Sequence, residues 1–373
     1  ELPTLLKMSP NREDNMQTEV VLVINPGSTS TKVGIFDRQG PLKVENIDHA
    51  GSQLSKMHSI REQLPLREAV IKQTIGAWLK DAQLVAVVGR GGLLRPIRGG
   101  VYRVNSDMIE DTLGCKYGAH ASNLGASLAE GIAREYGVPA LVVDPVTVDE
   151  FIPEARVSGI PEIQRRSRLH ALNIKACIRK VASRLGQKLE QLNFVVAHLG
   201  GGITVAAVQG GNIIDCNDAL LGMGPFSPER TGALPVEGLL RLAFSGEYTF
   251  ETLCQRLAKR GGLMAYLGTN DVREVLRRIA AGDHEADLVL RAMFYQIGKE
   301  IGAMATVLKG KVDRIIITGG MAHSDQVVTA VQERVAFIAP IEVIPGENEL
   351  ESMAEGGFRA VDGKETIKTY SKA

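Results

Sequence analysis

A pattern that occurs twice constrains this chain more than any other feature. Residues 20–24, VVLVI, run into the polar turn NPGSTSTK at 25–32, after which VGIFD resumes the apolar, β-branched character. Residues 194–198, FVVAH, run into LGGG and out again through ITVAAV, ending at 208. Each reads as two strands joined through a turn, polar in the first case and glycine-rich in the second. Both halves later end another apolar run in glycine, VAVVGRGG at 85–92 and RIIITGG at 314–320, where backbone can approach a ligand closely. A duplicated domain is the economical explanation. The length of 373 residues agrees, because it exceeds what one hydrophobic core usually supports.

Apolar residues at helical spacing fill the intervals. ASNLGASLAEGIAREYG at 121–137 and HALNIKACIRKVASRLG at 170–186 both close on a glycine suited to ending a helix. Further helices are expected near 235–244, 271–281, 284–308 and 323–336. Strands that arrive first as a hairpin and later singly between helices indicate mixed sheets flanked by helices, the α/β class. The change of domain is placed near 150, giving a first domain at 19–150 and a second at 151–349. The last segment, 350–373, is expected to cross back and complete the first. Residues 1–18 are polar and broken by two prolines, and are expected to be a tail outside the fold.

Basic and acidic side chains balance at 43 each, which removes the electrostatic argument for nucleic acid or an anionic membrane as partner. A small molecule is expected instead. Cys115, Cys177, Cys216 and Cys254 show no metal-ligand spacing, so neither a zinc site nor a disulfide framework is indicated. No apolar run approaches the roughly 20 residues of a membrane helix, and the cytoplasm is the expected compartment.

Several residues could carry chemistry. The turn NPGSTSTK places backbone N–H groups, hydroxyls and Lys32 within eight residues, a set of donors suited to a polyanion. It continues into a strand rather than a helix, which argues against a P-loop. The glycines of HLGGG remove every Cβ that could collide with a phosphate chain. Arg90, in GRGG after an apolar strand, could bind a carboxylate or phosphate in bidentate fashion, and Arg230, in the irregular PFSPERTG, lies in a loop of the kind that presents a side chain rather than packs one. Asp144 follows the strand ALVV at a site where α/β sheets place ligands, with Asp149 and Glu150 as close competitors. His170 opens a helix and could meet an anion there or face water. Glu347, Glu349 and Glu351 in GENELES could each reach Mg²⁺ or simply suit a helix start.

Taken together, NPGSTSTK, GRGG, VDPVTVDEF, the His170 helix start, HLGGG, PERTG, TGG and PGENE occur in an order that resembles the acetate and butyrate kinase family from about residue 19 onward. The resemblance implies two ribonuclease-H-like domains closing on ATP, as in sugar kinases, actin and heat-shock chaperones. It implies reversible transfer of a phosphoryl group from Mg-ATP to a short-chain carboxylic acid, giving an acyl phosphate and ADP. The form of the first turn and the compact body resemble those of butyrate kinases, which favours butyrate over acetate, propionate or isobutyrate. It further implies that Asn25, Ser28, Ser30 and Lys32 serve the phosphates and metal, and that His198 with Gly200, Gly201 and Gly202 holds ATP phosphates. Arg90 and Arg230 would bracket the acyl carboxylate and the transferring phosphoryl, with His170 offsetting charge. Asp144 would orient magnesium or substrate; Asn25, Asp144 and Glu349 form the implied metal set. Asp271, Gly319 and Gly320 would surround the nucleotide. A homodimer or higher homo-oligomer is expected. A sugar kinase and a non-catalytic nucleotide clamp on the same scaffold are the competing expectations.

Overall fold

The computed structural model describes residues 17–49, 54, 57 and 59–372. The expected tail at 1–18 falls outside this range apart from its last two residues, and Thr18 already opens the first strand.

The first half runs β1 (Thr18–Pro26), β2 (Ser30–Phe36), β3 (Pro41–Asp48), α1 (Leu64–Gly76), β4 (Ala82–Gly89), β5 (Val101–Arg103), α2 (Ser106–Leu113), α3 (Gly125–Tyr136) and β6 (Ala140–Val143). The chain then passes through α4 (Pro153–Arg156) and α5 (Ala171–Leu185) into β7 (Asn193–Leu199), β8 (Ile203–Gln209) and β9 (Asn212–Cys216). Helices α6 (Val236–Ala243), α7 (Phe250–Lys259), α8 (Gly262–Leu267), α9 (Val272–Ala280) and α10 (His284–Val307) follow. The remainder is β10 (Arg314–Gly319), α11 (Asp325–Val335), β11 (Ile341–Pro345), α12 (Glu349–Val361) and β12 (Lys368–Thr369).

The strands form two sheets, ordered β12-β5-β6-β4-β1-β2-β3 and β11-β10-β7-β8-β9. Each is built around one central strand. β1 pairs antiparallel with β2 and parallel with β4, and β7 pairs antiparallel with β8 and parallel with β10. The outer strands repeat the plan: β3 and β9 extend the antiparallel side, while β6 and β11 extend the parallel side. The sequence repeat is thus a repeat of topology, and the fold is a duplicated ribonuclease-H-like α/β arrangement.

The near-continuous apolar runs of β1 and β7 follow from burial on both faces. Val20, Leu22 and Ile24 pack with Ile71 of α1 and Leu128 of α3, whereas Val21 and Val23 pack with Met353 and Phe358 of α12. In β7, Val195, Ala197 and Leu199 face the α10 layer, and Phe194 and Val196 face α5. Helix α12 therefore lies on the first sheet although it follows the last strand of the second, and it also touches α5. Helices α3 and α5 end at Gly137 and Gly186, whose φ values of 67° and 64° supply left-handed caps.

The position of Arg90 depends on a glycine contact. A Cβ at Gly89 would stand 2.1 Å from the Gly125 carbonyl oxygen, and one at Gly125 would stand 2.1 Å from the Arg90 carbonyl oxygen. The end of β4 and the start of α3 can approach this closely only without side chains. Gly125→Ala is therefore expected to cost about 1–3 kcal/mol through overpacking. Gly302→Ala, on α10 where a Cβ meets nothing within 4 Å, should stabilise by about 0.5–1 kcal/mol. Urea unfolding of both variants tests the pair, and equal stabilities would refute the close-approach argument.

Candidate active site

The site begins at the turn between β1 and β2. Arg67 lies on the same face of α1 as Ile71 and Ile75 and is fully buried. Its guanidinium donates to the carbonyl oxygens of Gly27, Ser28 and Ser30 and to Thr31 Oγ1 at 2.7–3.3 Å. Thr31 Oγ1 also meets His49 Nε2 at 2.9 Å. The turn NPGSTSTK is thus braced from beneath by one arginine.

Above this brace, Asn25, Gly27, Ser30, Lys32, Arg90, His120, Ser122 and Glu349 line a cavity of about 260 Å³. Asn25 Nδ2 donates to Glu349 Oε2 at 2.8 Å, and Arg90 Nη2 donates to Glu349 Oε1 at 3.1 Å. Glu349 is the first residue of α12, so its carboxylate lies at the positive end of that helix. Among the three acids of GENELES, Glu349 is the one that hydrogen-bonds to the first turn, while Glu347 feels the charges of Lys32 and Arg90 and is held above the usual carboxylate range mainly by burial. Glu351 lines a separate groove beside α5 and the β2–β3 turn.

A polar seam joins this region to the second sheet. His170, Asn173 and Cys177 project from one face of α5 and its cap. Thr204, His198 and Thr318 are cross-strand neighbours on β8, β7 and β10. The two rows meet one to one. His170 Nδ1 lies 2.8 Å from Thr204 Oγ1, His198 Nδ1 lies 2.9 Å from Asn173 Oδ1, and Cys177 Sγ lies 3.4 Å from Thr318 Oγ1. The His170 and His198 rings stack with centroids 3.9 Å apart and planes 13° apart.

Burial governs the charge of these rings. Desolvation pushes His198 down to about 4, partly opposed by Glu349. Desolvation also holds His170 well below the usual imidazole range, helped by His198 and by the guanidinium groups of Arg230 and Arg90. Both imidazoles are neutral at pH 7, and two stacked rings in this setting would resist carrying two charges.

Arg230 reaches the site from the irregular loop before α6. Its Nη1 donates to the Ala219 carbonyl oxygen, and its backbone N–H bonds Ser227 Oγ at 3.1 Å. A Cβ at Gly202 would lie 2.0 Å from Arg230 Nη1, so a glycine in this turn makes room for the guanidinium. Arg90 Nη1, His198 Nε2 and Arg230 Nε are all buried without a hydrogen-bond partner among the described residues. Buried polar atoms without partners are costly, and these three belong to one neighbourhood around His170. Their chemistry fits an anion carrying bound water.

The other expected residues are placed differently. Asp144 is fully buried. Its carboxylate accepts from Gly100 N at 2.6 Å and from Arg179 Nη1 at 3.0 Å, so it serves the joint with α5 and does not join Asn25 and Glu349. Gly319, at φ 89°, packs its backbone on Leu199 and exchanges backbone hydrogen bonds with Gly346. Asp271 caps α9 and pairs with Arg273, away from the cavity lining. Sequence reasoning passed over Arg67, Asn173 and Thr204. The spacing of His170, Asn173 and Cys177 at i, i+3 and i+7 in an otherwise apolar helix face was the available signal for the seam.

Comparison with known proteins extends this picture. Residues 161–366 match the model of the acetokinase family. A curated protein of Caldanaerobacter subterraneus subsp. tengcongensis, named "Probable butyrate kinase 2", is 49% identical over 351 residues, covering 94% of this chain and 99% of the relative. Among solved structures, an acetate kinase from Porphyromonas gingivalis superposes with a TM-score of 0.72 at 18% identity, covering 91% of this chain and 100% of that one. A propionate kinase from Francisella tularensis superposes with a TM-score of 0.70 at 19% identity, covering 91% and 98%. At these identities the structural likeness supports the fold.

The depressed histidines predict acid sensitivity. An unfolded chain binds protons on His198 near pH 6.5, whereas the folded chain resists until about pH 4. The stability this contributes is full above pH 6.5, falls as pH drops, and is lost by about pH 4, roughly 3 kcal/mol in all. Urea unfolding across pH 4–7.5 should show a shallower slope for His198→Gln than for the parent, and identical slopes would contradict the assignment.

Proposed function

The chain belongs to the acetokinase family, and on that premise we propose that it is a butyrate kinase, transferring a phosphoryl group reversibly between ATP and butyrate to give butanoyl phosphate and ADP. The acyl group rests on the relative named "Probable butyrate kinase 2". The observation that carries the chemistry is the pair of buried, unpartnered donors on Arg90 and Arg230, both within electrostatic reach of His170, with Arg90 lining a cavity that also holds Asn25, Lys32 and Glu349.

In this mechanism a carboxylate oxygen of the acid forms a bond to the γ-phosphorus as the bond to the ADP oxygen breaks, in line. The acid is already ionised at neutral pH, so no strong general base is required. Arg90 and Arg230 bind the acyl carboxylate and the transferring phosphoryl, whose charge spreads over equatorial oxygens. His170, neutral and stacked on His198, lies within electrostatic reach of both guanidinium groups without adding charge repulsion to them. Arg67 keeps the first turn in place so that Ser28, Ser30 and Lys32 can meet phosphate oxygens.

Mg²⁺ fits the residues present. No group of three or more His, Cys, Asp or Glu side chains among the described residues forms a metal cluster, and a magnesium ion held mainly by phosphates and water needs only one or two carboxylates. Glu349 and the Oδ1 of Asn25 would hold it, and when bound it would offset charge on the β- and γ-phosphates. The glycine turn at 200–202 and the strand end at Gly319 and Gly320 serve the nucleotide, with Asp271 at its outer edge. Asp144 takes a supporting part, through Arg179, at the joint between the halves.

We assign residues 19–150 and 350–373 to one domain and 151–349 to the other, supported by sheet membership and by the packing of α12 on β1 and β4. A homo-oligomer is supported by the exposed Val236, Leu240 and Phe244 of the α6 segment and by Phe250. No described helix is long and apolar enough to cross a membrane, and we place the enzyme in the cytoplasm.

Incubation with Mg-ATP, hydroxylamine and straight or branched acids from acetate to hexanoate should give acyl hydroxamate with a maximum at butyrate, above isobutyrate. A maximum at another acid would reassign the acyl group, and turnover of a hexose alone would replace the reading. Arg90→Ala and Arg230→Ala should each lower kcat by on the order of 10²-fold or more, with a smaller effect on ATP affinity. Normal turnover in either variant would remove that arginine from the mechanism.

A further inference from the structure

Asn173 stands one turn into α5 and is buried to 4% exposure. Its two amide ends do different work. Nδ2 donates to the carbonyl oxygen of Glu347 at 2.8 Å and to that of Gly346 at 3.2 Å. A carbonyl can only accept, so the nitrogen must face that loop, and Oδ1 must face His198 Nδ1, 2.9 Å away. An amide oxygen is likewise only an acceptor. The proton of the neutral His198 ring is therefore on Nδ1, and Nε2 carries a lone pair.

That lone pair has a direction. Nε2 is buried without a partner among the described residues and lies 3.2 Å from where a Cβ of Gly200 would be, so it faces the glycine turn. A neutral acceptor beside a phosphate oxygen would be repelled, since neither atom carries a proton to share. Burial keeps the ring neutral.

We propose that Asn173 is a positioning residue that locks His198 in the Nδ1–H tautomer, so that His198 Nε2 accepts a hydrogen bond from an ordered water at the phosphate end of the nucleotide instead of touching a phosphate oxygen. The same amide anchors the loop that leads into α12, and so ties the placement of Glu349 to the orientation of the His198 ring. The water contact rests on the kinase reading above; the tautomer does not.

Long-range ¹H–¹⁵N spectra of the full chain labelled in histidine report which ring nitrogen bears the proton, and the His198 signals are assigned by their loss in His198→Gln. In the protein free of metal and nucleotide, Nδ1 should be protonated and Nε2 bare, and both should stay so after Mg-ADP is added. A proton on Nε2 in the free protein overturns the locked tautomer, and a proton gained there on adding Mg-ADP overturns the water contact. Asn173→Asp keeps the acceptor and should keep the tautomer while losing the loop anchor. Asn173→Leu should populate Nε2–H and lower kcat by about 10–100-fold, the usual cost of removing an outer partner. A Leu variant that keeps the Nδ1–H tautomer counts against the proposal; if it does not fold, the parent spectra still decide. A negative hydroxamate assay with a bare Nε2 in the free protein would sink the reaction and leave the tautomer standing.

Discussion

The buried pair between Glu150 and Lys175 holds the crossing of the chain from one sheet to the other. Lys175 Nζ meets Glu150 Oε2 at 2.6 Å, with both side chains only 6% exposed. Each remaining polar atom is also engaged: Glu150 accepts from Gly99 N and Ile213 N, and Lys175 donates to the Gly211 carbonyl oxygen. A buried pair survives its desolvation cost only when its other hydrogen-bonding capacity is met in this way. One turn further along α5, Arg179 holds Asp144. Two cations spaced i, i+4 on one helix thus clamp the two ends of the segment 144–150, and the strand that leaves the first sheet is held against the helix that enters the second.

Everything nearer the cavity inherits its geometry from that joint. Helix α5 brings His170 and Asn173 over the ends of β8 and β7, and its neighbour α12 carries Glu349 to the first turn. The Gly346 carbonyl oxygen receives donors from Asn173, Thr318 and Gly319, so a single peptide gathers α5, β10 and the loop before α12. The contributing residues come from both sheets and from the helices between them, and their mutual distances are set by packing rather than by chain proximity.

That distinction decides what could be read in advance. The two turns were legible because each is contiguous: NPGSTSTK and HLGGG sit between apolar strands within a dozen residues. The helices at 121–137 and 170–186 were legible for the same reason, through spacing and a closing glycine. Arg67 was not, since an arginine in LPLREAVIKQTIG looks like a solvated helix residue until α1 is seen to lie beneath the turn. Asn173 finds its partners 25 residues and more than 170 residues away, which no local pattern encodes. Asp144 shows the reverse case. Its place after a strand suggested a ligand, but α5 supplies an arginine to that carboxylate, and only the assembled packing reveals that it is taken.

The repeated strand order has a consequence for how the scaffold can work. Two copies of one topology are related by an approximate symmetry, yet the species expected to lie between them has a head and a tail. The polarity must then come from the places where the copies diverge. One tip carries hydroxyls, an amide and a lysine above a buried guanidinium, whereas the other consists of bare glycine backbone backed by two stacked imidazoles. Orientation of a bound molecule is therefore encoded in the broken part of the symmetry, and exchanging the two tips would be expected to blur which end is which while leaving both sheets intact.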